Sequence, residues 1–215
     1  KSDKVESMVS MFENCIGFPY FKLEMDTQSV MYTARMFRNC TGLTSIDISG
    51  NNFSSLYGMD NMMDHCITLK DVNLNHIITN NLHFMSQVFM DCSNLTEVNF
   101  GDFQTQAVIS MNGLFSGCTK LKYVDFSNFT ANKLQHMNGM FSECSNLTSL
   151  NLSNFDSQEV IQMNGMFVNC KSLETLDIRN LKGKMVTDFA DMFSGCSKLK
   201  TLNFSNFNSE SAISM

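Results

Sequence analysis

The 215-residue chain contains no tryptophan and a single proline, Pro19, and no apolar run reaches the ~18 residues of a membrane-spanning helix. Lysine and arginine are also few, 15 residues against 21 aspartates and glutamates, for a formal net charge of −6. Binding to nucleic acid or to an anionic membrane depends on clustered lysine and arginine side chains. The composition therefore disfavours both kinds of partner and predicts no transmembrane segment.

Eight cysteines recur along the chain at a nearly constant interval, 25 residues for the first and 26 for the next six. They are Cys15, Cys40, Cys66, Cys92, Cys118, Cys144, Cys170 and Cys196. A fixed period of this length predicts a solenoid, in which each repeat packs against the next. Stacking would give each thiol two equivalent neighbours, so no disulfide pairing is specified. We therefore expect a column of buried free thiols that act as small apolar side chains.

When each cysteine is numbered 0, apolar residues recur at positions −7, −4 and −3. In the fifth repeat these residues are Met111, Leu114 and Phe115. Spacings of three and four residues are typical of the buried side of a helix, so the pattern predicts a short helix in each repeat. The Asn112–Gly113 pair interrupts this stripe and indicates a short or distorted helix, because glycine is unfavourable in a helix interior. Core packing explains the methionine and phenylalanine stripe better than a cofactor pocket does.

Leucine at position +3 precedes a pair of apolar residues at +6 and +8. In the fifth repeat these are Leu121, Val124 and Phe126. Alternation of apolar and polar residues predicts a short, half-buried strand. Strands that are one repeat apart return in the same direction, so we expect them to be parallel.

A single solenoid over residues 1–215 is the predicted domain organisation. Residues 1–25 include Pro19 and form an irregular first repeat or a partial cap, whereas residues 26–215 form regular repeats. The chain stops at Met215, where a further repeat would begin its apolar run. We therefore expect an open C-terminal end and a fragment of a longer protein.

Residues 111–130 read MNGLFSGCTKLKYVDFSNFT, and residues 137–156, 163–181 and 189–207 follow the same pattern. The motif Met-x-x-Met-Phe-x-x-Cys-x-x-Leu-x-x-Leu-x-Leu-Ser-x-Phe resembles the BspA-type leucine-rich repeat of bacterial surface proteins, mycoplasma lipoproteins and some protist surface antigens. The resemblance implies an α/β repeat fold, a right-handed leucine-rich-repeat-like solenoid with one short parallel strand and one short helix per 26-residue repeat. It also implies an extracellular or cell-surface location, and it supplies no catalytic motif.

Position +7, between the two apolar strand positions, is Asp or Asn in every regular repeat and should point away from the core. The residues are Asp47, Asn73, Asn99, Asp125, Asn151, Asp177 and Asn203. One interpretation is a hydrogen-bonded ladder of side chains, and another is a ligand-binding face of the solenoid. A calcium column is less favoured, because calcium needs six to eight oxygens at one point. Lys122 and Tyr123, at the variable positions +4 and +5, complete the candidate partner-binding face, since tyrosine is frequent at interfaces.

Residues suited to catalysis or metal binding do not form a motif in this sequence. His65, His76, His83 and His136 occupy different positions of the repeat, and none joins cysteine and aspartate at metal-ligand spacing. His65 and Cys66 are adjacent, but neighbouring side chains point in different directions. We therefore expect neither enzymatic activity nor a cofactor.

The predicted function is that of a cell-surface or secreted protein-binding module for adhesion or host-ligand recognition, which engages a protein or glycan through its exposed strand face. One alternative is a structural spacer that displays another domain. A second alternative is an intracellular scaffold for protein interactions, which differs from the first hypothesis mainly in compartment.

Overall fold

The computed structural model describes residues 4–126, 128–130, 132–152, 155, 159–181, 185–203 and 205, which form a stack of parallel turns. The predicted open C-terminal end at Met215 lies outside these residues. Each repeat contributes one strand of three residues, at positions +5 to +7. The strands are β1 Tyr20–Lys22, β2 Ser45–Asp47, β3 Asp71–Asn73, β4 Glu97–Asn99, β5 Tyr123–Asp125, β6 Ser149–Asn151, β7 Thr175–Asp177 and β8 Thr201–Asn203.

The strands pair in parallel with a shift of one repeat, so that equivalent residues lie side by side. In this register Val98 is paired with Val124. The pairing forms three sheets, β1–β2–β3, β4–β5 and β6–β7–β8. A second line of parallel bridges, one residue per repeat, runs from Ser7 through Ser110 to Asp188 and continues past the breaks between the sheets. The predicted parallel solenoid with one short strand per repeat is confirmed.

The predicted short helix in each repeat is wrong, because the corresponding segments of the described residues are series of β-turns. In the fifth repeat the amide of Leu114 donates to the carbonyl of Met111, and that of Cys118 donates to Phe115, both over three residues. The amide of Phe115 donates instead to the carbonyl of Met140 in the next repeat, at 2.9 Å. The other amides of this segment that donate to the next repeat do so at 2.8–2.9 Å. An α-helix would satisfy such amides internally, four residues back. No helix in the described ranges is able to cross a membrane.

Residues with a positive φ angle at positions −5 and −1 make these turns possible. They are Ser10, Asn14, Arg35, Asn39, Asn61, His65, Gln87, Asp91, Gly113, Gly117, Gly139, Glu143, Gly165, Asn169, Asp191 and Gly195. A positive φ at the third residue of a β-turn defines type II geometry, which favours glycine and asparagine. In the fifth repeat Gly113 has a φ of 58° and Gly117 a φ of 76°. The Asn112–Gly113 pair therefore indicates a turn. The apolar residues are spaced by three and four positions because successive turns bury the same side of the segment.

Phenylalanine side chains at position −3 form the centre of the core. The rings of Phe89 and Phe115 stack with centroids 5.4 Å apart, and the rings of Phe115, Phe141 and Phe167 continue at 5.6 Å. All four side chains are fully buried. Burial of one phenylalanine stabilises the fold by roughly 1.5–3 kcal/mol. The prediction that the methionine and phenylalanine stripe packs in the core is confirmed.

The eight cysteines are all free, and only Cys15 and Cys196, in the outermost repeats, are partly exposed. The buried thiol of Cys118 donates to the carbonyl oxygen of Phe89 in the preceding repeat, at 3.0 Å. Burial raises the pKa of the Cys118 thiol well above its ordinary value, and it also raises the pKa of the Cys92 thiol. The predicted column of free thiols is therefore confirmed. The buried thiols also act as hydrogen-bond donors to the preceding repeat.

Thiol reactivity should separate the two outer cysteines from the six buried ones. At pH 8 we expect rapid reaction with a small disulfide reagent only at Cys15 and Cys196, because the other six thiols are buried away from the reagent. Burial also raises the pKa of Cys92, Cys118 and Cys144, which keeps these thiols protonated, and the thiolate is the nucleophile. In urea all eight cysteines should react. The measurement is the number of reacted thiols with time, with the sites located by mass spectrometry. Rapid labelling of Cys118 in the native protein would contradict this arrangement.

A substitution of Gly117 should test the turn geometry directly. A Cβ atom at Gly117 would lie 2.0 Å from Oδ1 of Asp91, at a φ of 76°. We expect Gly117→Ala to lower the free energy of unfolding by about 1–3 kcal/mol, because backbone strain and steric overlap act together. The matched control is Gly17→Ala, since a Cβ at Gly17 has no atom within 4 Å. Urea denaturation would measure both variants, and equal midpoints would refute the left-handed turn.

Candidate functional site

Positions +5 and +7 project to the same side of the strands, away from the core. In β4 the central Val98 is buried, whereas Glu97 and Asn99 on either side of it are exposed. Side chains alternate across a strand, so every repeat presents one +5 and one +7 side chain to this surface. We call this surface, formed by positions +5 and +7 of β1–β8, the strand face.

Two grooves follow the strand face. The N-terminal groove, of about 300 Å³, crosses β1–β4, and the C-terminal groove, of about 520 Å³, crosses β5–β8. Eight of the nine candidate residues line them, namely Asp47, Asn73 and Asn99 in the first and Tyr123, Asp125, Asn151, Asp177 and Asn203 in the second. Lys122 is exposed at position +4 but is not part of either lining. The predicted face therefore contains two neighbouring grooves.

The Asp and Asn side chains at position +7 have a local structural role. Oδ1 of Asn99 accepts a hydrogen bond from the backbone amide of Gly101 at 2.7 Å, and Oδ1 of Asp47 accepts one from Ser49 at 3.0 Å. The same bond to the amide two residues later is made by Asn73, Asp177 and Asn203. Such Asx turns favour Asp and Asn at the end of a strand. In these five repeats the side chains bond within their own repeat, which differs from the predicted ladder between repeats.

Two basic side chains beside the C-terminal groove are paired with acidic ones. Nε of Arg179 lies 2.9 Å from both carboxylate oxygens of Asp177. This hydrogen bonding lowers the pKa of Asp177 and raises the pKa of Arg179. Nζ of Lys200 lies 2.9 Å from Oε2 of Glu174.

The N-terminal groove contains three carboxylates and residues that the sequence interpretation did not select. Asp47, Asp71 and Glu97 line it together with Lys70 as its one basic residue. Tyr20 of β1 also lines this groove, with 54% of its surface exposed. Tyr20 lies five residues after Cys15, so the repeat numbering could have identified it in spite of the irregular first repeat.

One cluster outside the strand face brings a histidine close to two carboxylates. Among the described residues, Asp64, His65 and Asp91 are the one set of three such side chains close enough to share a metal ion. Asp64 is buried, and its Oδ2 is 3.0 Å from Nε of Arg38 while its Oδ1 contacts Nδ1 of His65. The Asp64 carboxylate is thus already compensated. We interpret the cluster as an ion-pair network that joins neighbouring turns.

A protein family model described as "Mycoplasma protein of unknown function, DUF285" matches residues 1–97, 59–172 and 109–215, which together span the chain. No curated protein matches the sequence.

Several solved structures are similar to this chain. The T. pallidum leucine-rich repeat protein has a TM-score of 0.59 at 22% identity, over 84% of this chain and 78% of that one. A leucine-rich cell surface protein of Faecalibacterium prausnitzii has a TM-score of 0.45 at 17% identity, over 94% of this chain and 63% of that one. A leucine-rich repeat protein of Bacteroides ovatus has a TM-score of 0.41 at 20% identity, over 92% and 58% of the two chains. The first likeness shows the leucine-rich-repeat fold.

Replacement of Arg179 should change the pKa of the Asp177 carboxyl group. We expect Arg179→Ala to raise the pKa of the Asp177 carboxyl group toward its ordinary value, because the arginine stabilises the ionised form. The depressed pKa means that the pair stabilises the fold at neutral pH and that this contribution is lost as the pH falls through the folded-state pKa. Carbon NMR titration would measure both carboxyl groups. Asp47 is the control, since its pKa is lowered mainly by Ser49, and an unchanged Asp177 pKa would contradict the pairing.

Proposed function

The chain belongs to the family described as "Mycoplasma protein of unknown function, DUF285", and from its leucine-rich-repeat fold we propose that it is a protein-interaction module whose partner binds the strand face. The observation that carries the proposal is the pair of grooves along that face, which contain nearly all of the candidate residues. Solenoids commonly use such an extended surface for binding, because the repeats place many variable side chains in one plane.

The chemistry of the grooves supports binding to a macromolecule. Their linings combine carboxylates, amides and hydroxyls with two exposed tyrosines, Tyr20 and Tyr123, at 54% and 56% exposure. Tyrosine is enriched among the residues that dominate protein interfaces. Of the described residues that line the grooves, none is a histidine or cysteine. We therefore propose recognition through this face, with no chemical step.

We place this recognition at the cell surface, where the module would bind a protein or glycan of a host. The support is the resemblance of the repeat to the BspA type, whose members are surface proteins. The same fold would also serve a spacer, but a spacer has no requirement for a particular set of side chains in its grooves. The two functions are therefore distinguishable by substitutions on the strand face.

A charge exchange between Asp125 of the strand face and the adjoining Lys122 should reduce partner binding. In Lys122→Glu with Asp125→Lys the net charge is unchanged, but the local pattern at the start of the C-terminal groove is reversed. We expect at least a tenfold rise in Kd, because misplaced interface charges are repulsive. The measurement is biolayer interferometry against an array of purified extracellular host proteins and glycans, with each ligand that binds the native protein titrated against the variants.

The matched control is Lys133→Glu with Glu159→Lys, two exposed residues outside the groove linings. This exchange also keeps the net charge and should leave Kd within about twofold. Circular dichroism would verify that both variants are folded. A ligand that binds both variants as tightly as the native protein would place its site elsewhere and would refute the strand face as the binding surface.

A further inference from the structure

Position +5 of the first five strands has a distinct order of side chains. From β1 to β5 it is Tyr20, Ser45, Asp71, Glu97 and Tyr123. The two tyrosines at the ends are more than half exposed, and the three residues between them line the N-terminal groove. Neighbouring strands are about 4.8 Å apart, so the column extends over roughly 19 Å. It is therefore an acidic stretch with an aromatic ring at each end.

Within the described part of the chain, the two central carboxylates form no ion pair. Asp71 and Glu97 make no ion pair with any residue that the structure describes, although Lys70 lies in the same groove. Lys22 of β1 is paired with Glu24 at 2.6 Å. Lys122 precedes β5 and is exposed, and it makes no ion pair with a described residue.

The strands that carry these carboxylates are in contact but belong to different hydrogen-bonded sheets. The separation lies between β3, which contains Asp71, and β4, which contains Glu97. Like charges on neighbouring strands are unfavourable. A cation from a partner would therefore be stabilised by both carboxylates, which no described ion pair compensates.

The aromatic ends of the column indicate which cation fits best. A guanidinium group binds carboxylate oxygens through two parallel hydrogen bonds and also stacks on aromatic rings, whereas an ammonium group is a more strongly hydrated point charge. A cation over a tyrosine ring gains further attraction from the ring quadrupole. The combination of Asp71 and Glu97 with Tyr20 and Tyr123 thus selects arginine over lysine.

We propose that the strand face binds an arginine-containing protein segment, with guanidinium groups on Asp71 and Glu97 and contacts to Tyr20 and Tyr123. This inference rests on the proposed function and adds the chemistry of the partner. The charge of the whole protein is also negative, so the experiment must separate attraction by this column from attraction by net charge.

The probes are three fluorescein-labelled 12-residue peptides, each with four arginines, four lysines or four glutamates among glycines and serines. Fluorescence anisotropy with the full chain at 50 mM and 150 mM NaCl would give Kd. We expect the arginine peptide to bind most tightly and the glutamate peptide least. Asp71→Asn with Glu97→Gln should weaken arginine-peptide binding about fivefold, since two exposed ion pairs are lost.

The control is Glu6→Gln with Glu159→Gln, which changes the net charge equally at exposed residues outside the groove linings. We expect this variant to bind the arginine peptide within twofold of the native Kd. An equal loss in both double variants would show attraction by net charge alone and would overturn the inference. Circular dichroism would confirm that each variant is folded.

Tyr123→Ala should weaken binding of the arginine peptide more than binding of the lysine peptide. An equal effect on the two peptides would also overturn the choice of arginine.

The outcome of the peptide experiment can be distinguished from the outcome of the test of the proposed function. If the charge exchange at Lys122 and Asp125 weakens a ligand while no cationic peptide binds, the strand face is retained and only the arginine inference fails. If neither variant set has an effect, both fail.

Discussion

Hydrogen bonds between the backbones of successive repeats are the interaction on which this structure depends. In the turn segments every second amide, such as that of Phe115, donates to a carbonyl of the next repeat, and the amides between them close short turns. A single repeat would leave these donors unpaired, which is costly for buried backbone groups. Each repeat is therefore stable only against a neighbour, and the 26-residue period is the length that returns the chain to the same hydrogen-bonding position.

This stacking places equivalent side chains directly above one another, and the core follows from it. Phenylalanine rings such as those of Phe115 and Phe141 stack nearly parallel because their backbones are related by one repeat. The thiol of Cys118 reaches the carbonyl of Phe89 for the same reason. Cysteine is small enough for the column and is also a weak donor. The methionines fill the irregular spaces between turns, a role that suits their flexible side chains.

The strand face divides into positions that serve the fold and positions that are free to vary. At +7, Asn99 and Asp47 close Asx turns at the ends of their strands, which explains the restriction to Asp and Asn without any ligand. At +5 no such bond is required. The exposed Tyr123 and Glu97 are therefore less constrained by the fold than the regular +7 column, although both columns line the same grooves.

The sequence pattern predicts some features of the candidate site and not others. The alternation around Val124 orients position +7 away from the core, but the two grooves that eight of the nine selected residues line are visible only in the structure. Tyr20 was missed because the first repeat is irregular around Pro19. The pairing of Asp177 with Arg179 involves side-chain rotamers, and the contact between His65 and Asp91 joins separate repeats, so neither is visible in a linear pattern.

The sequence by itself determined the period, the parallel strands, the buried residues and the column of free thiols, because each is a direct consequence of residue type repeated at a constant interval. Only the tertiary structure decided between helix and turns at positions −7 to 0. Both conformations bury residues at the same spacing, as Met111, Leu114 and Phe115 illustrate. The choice depends on whether an amide such as that of Phe115 bonds within its own repeat or to Met140 of the next one, and that bond exists only once the repeats are stacked.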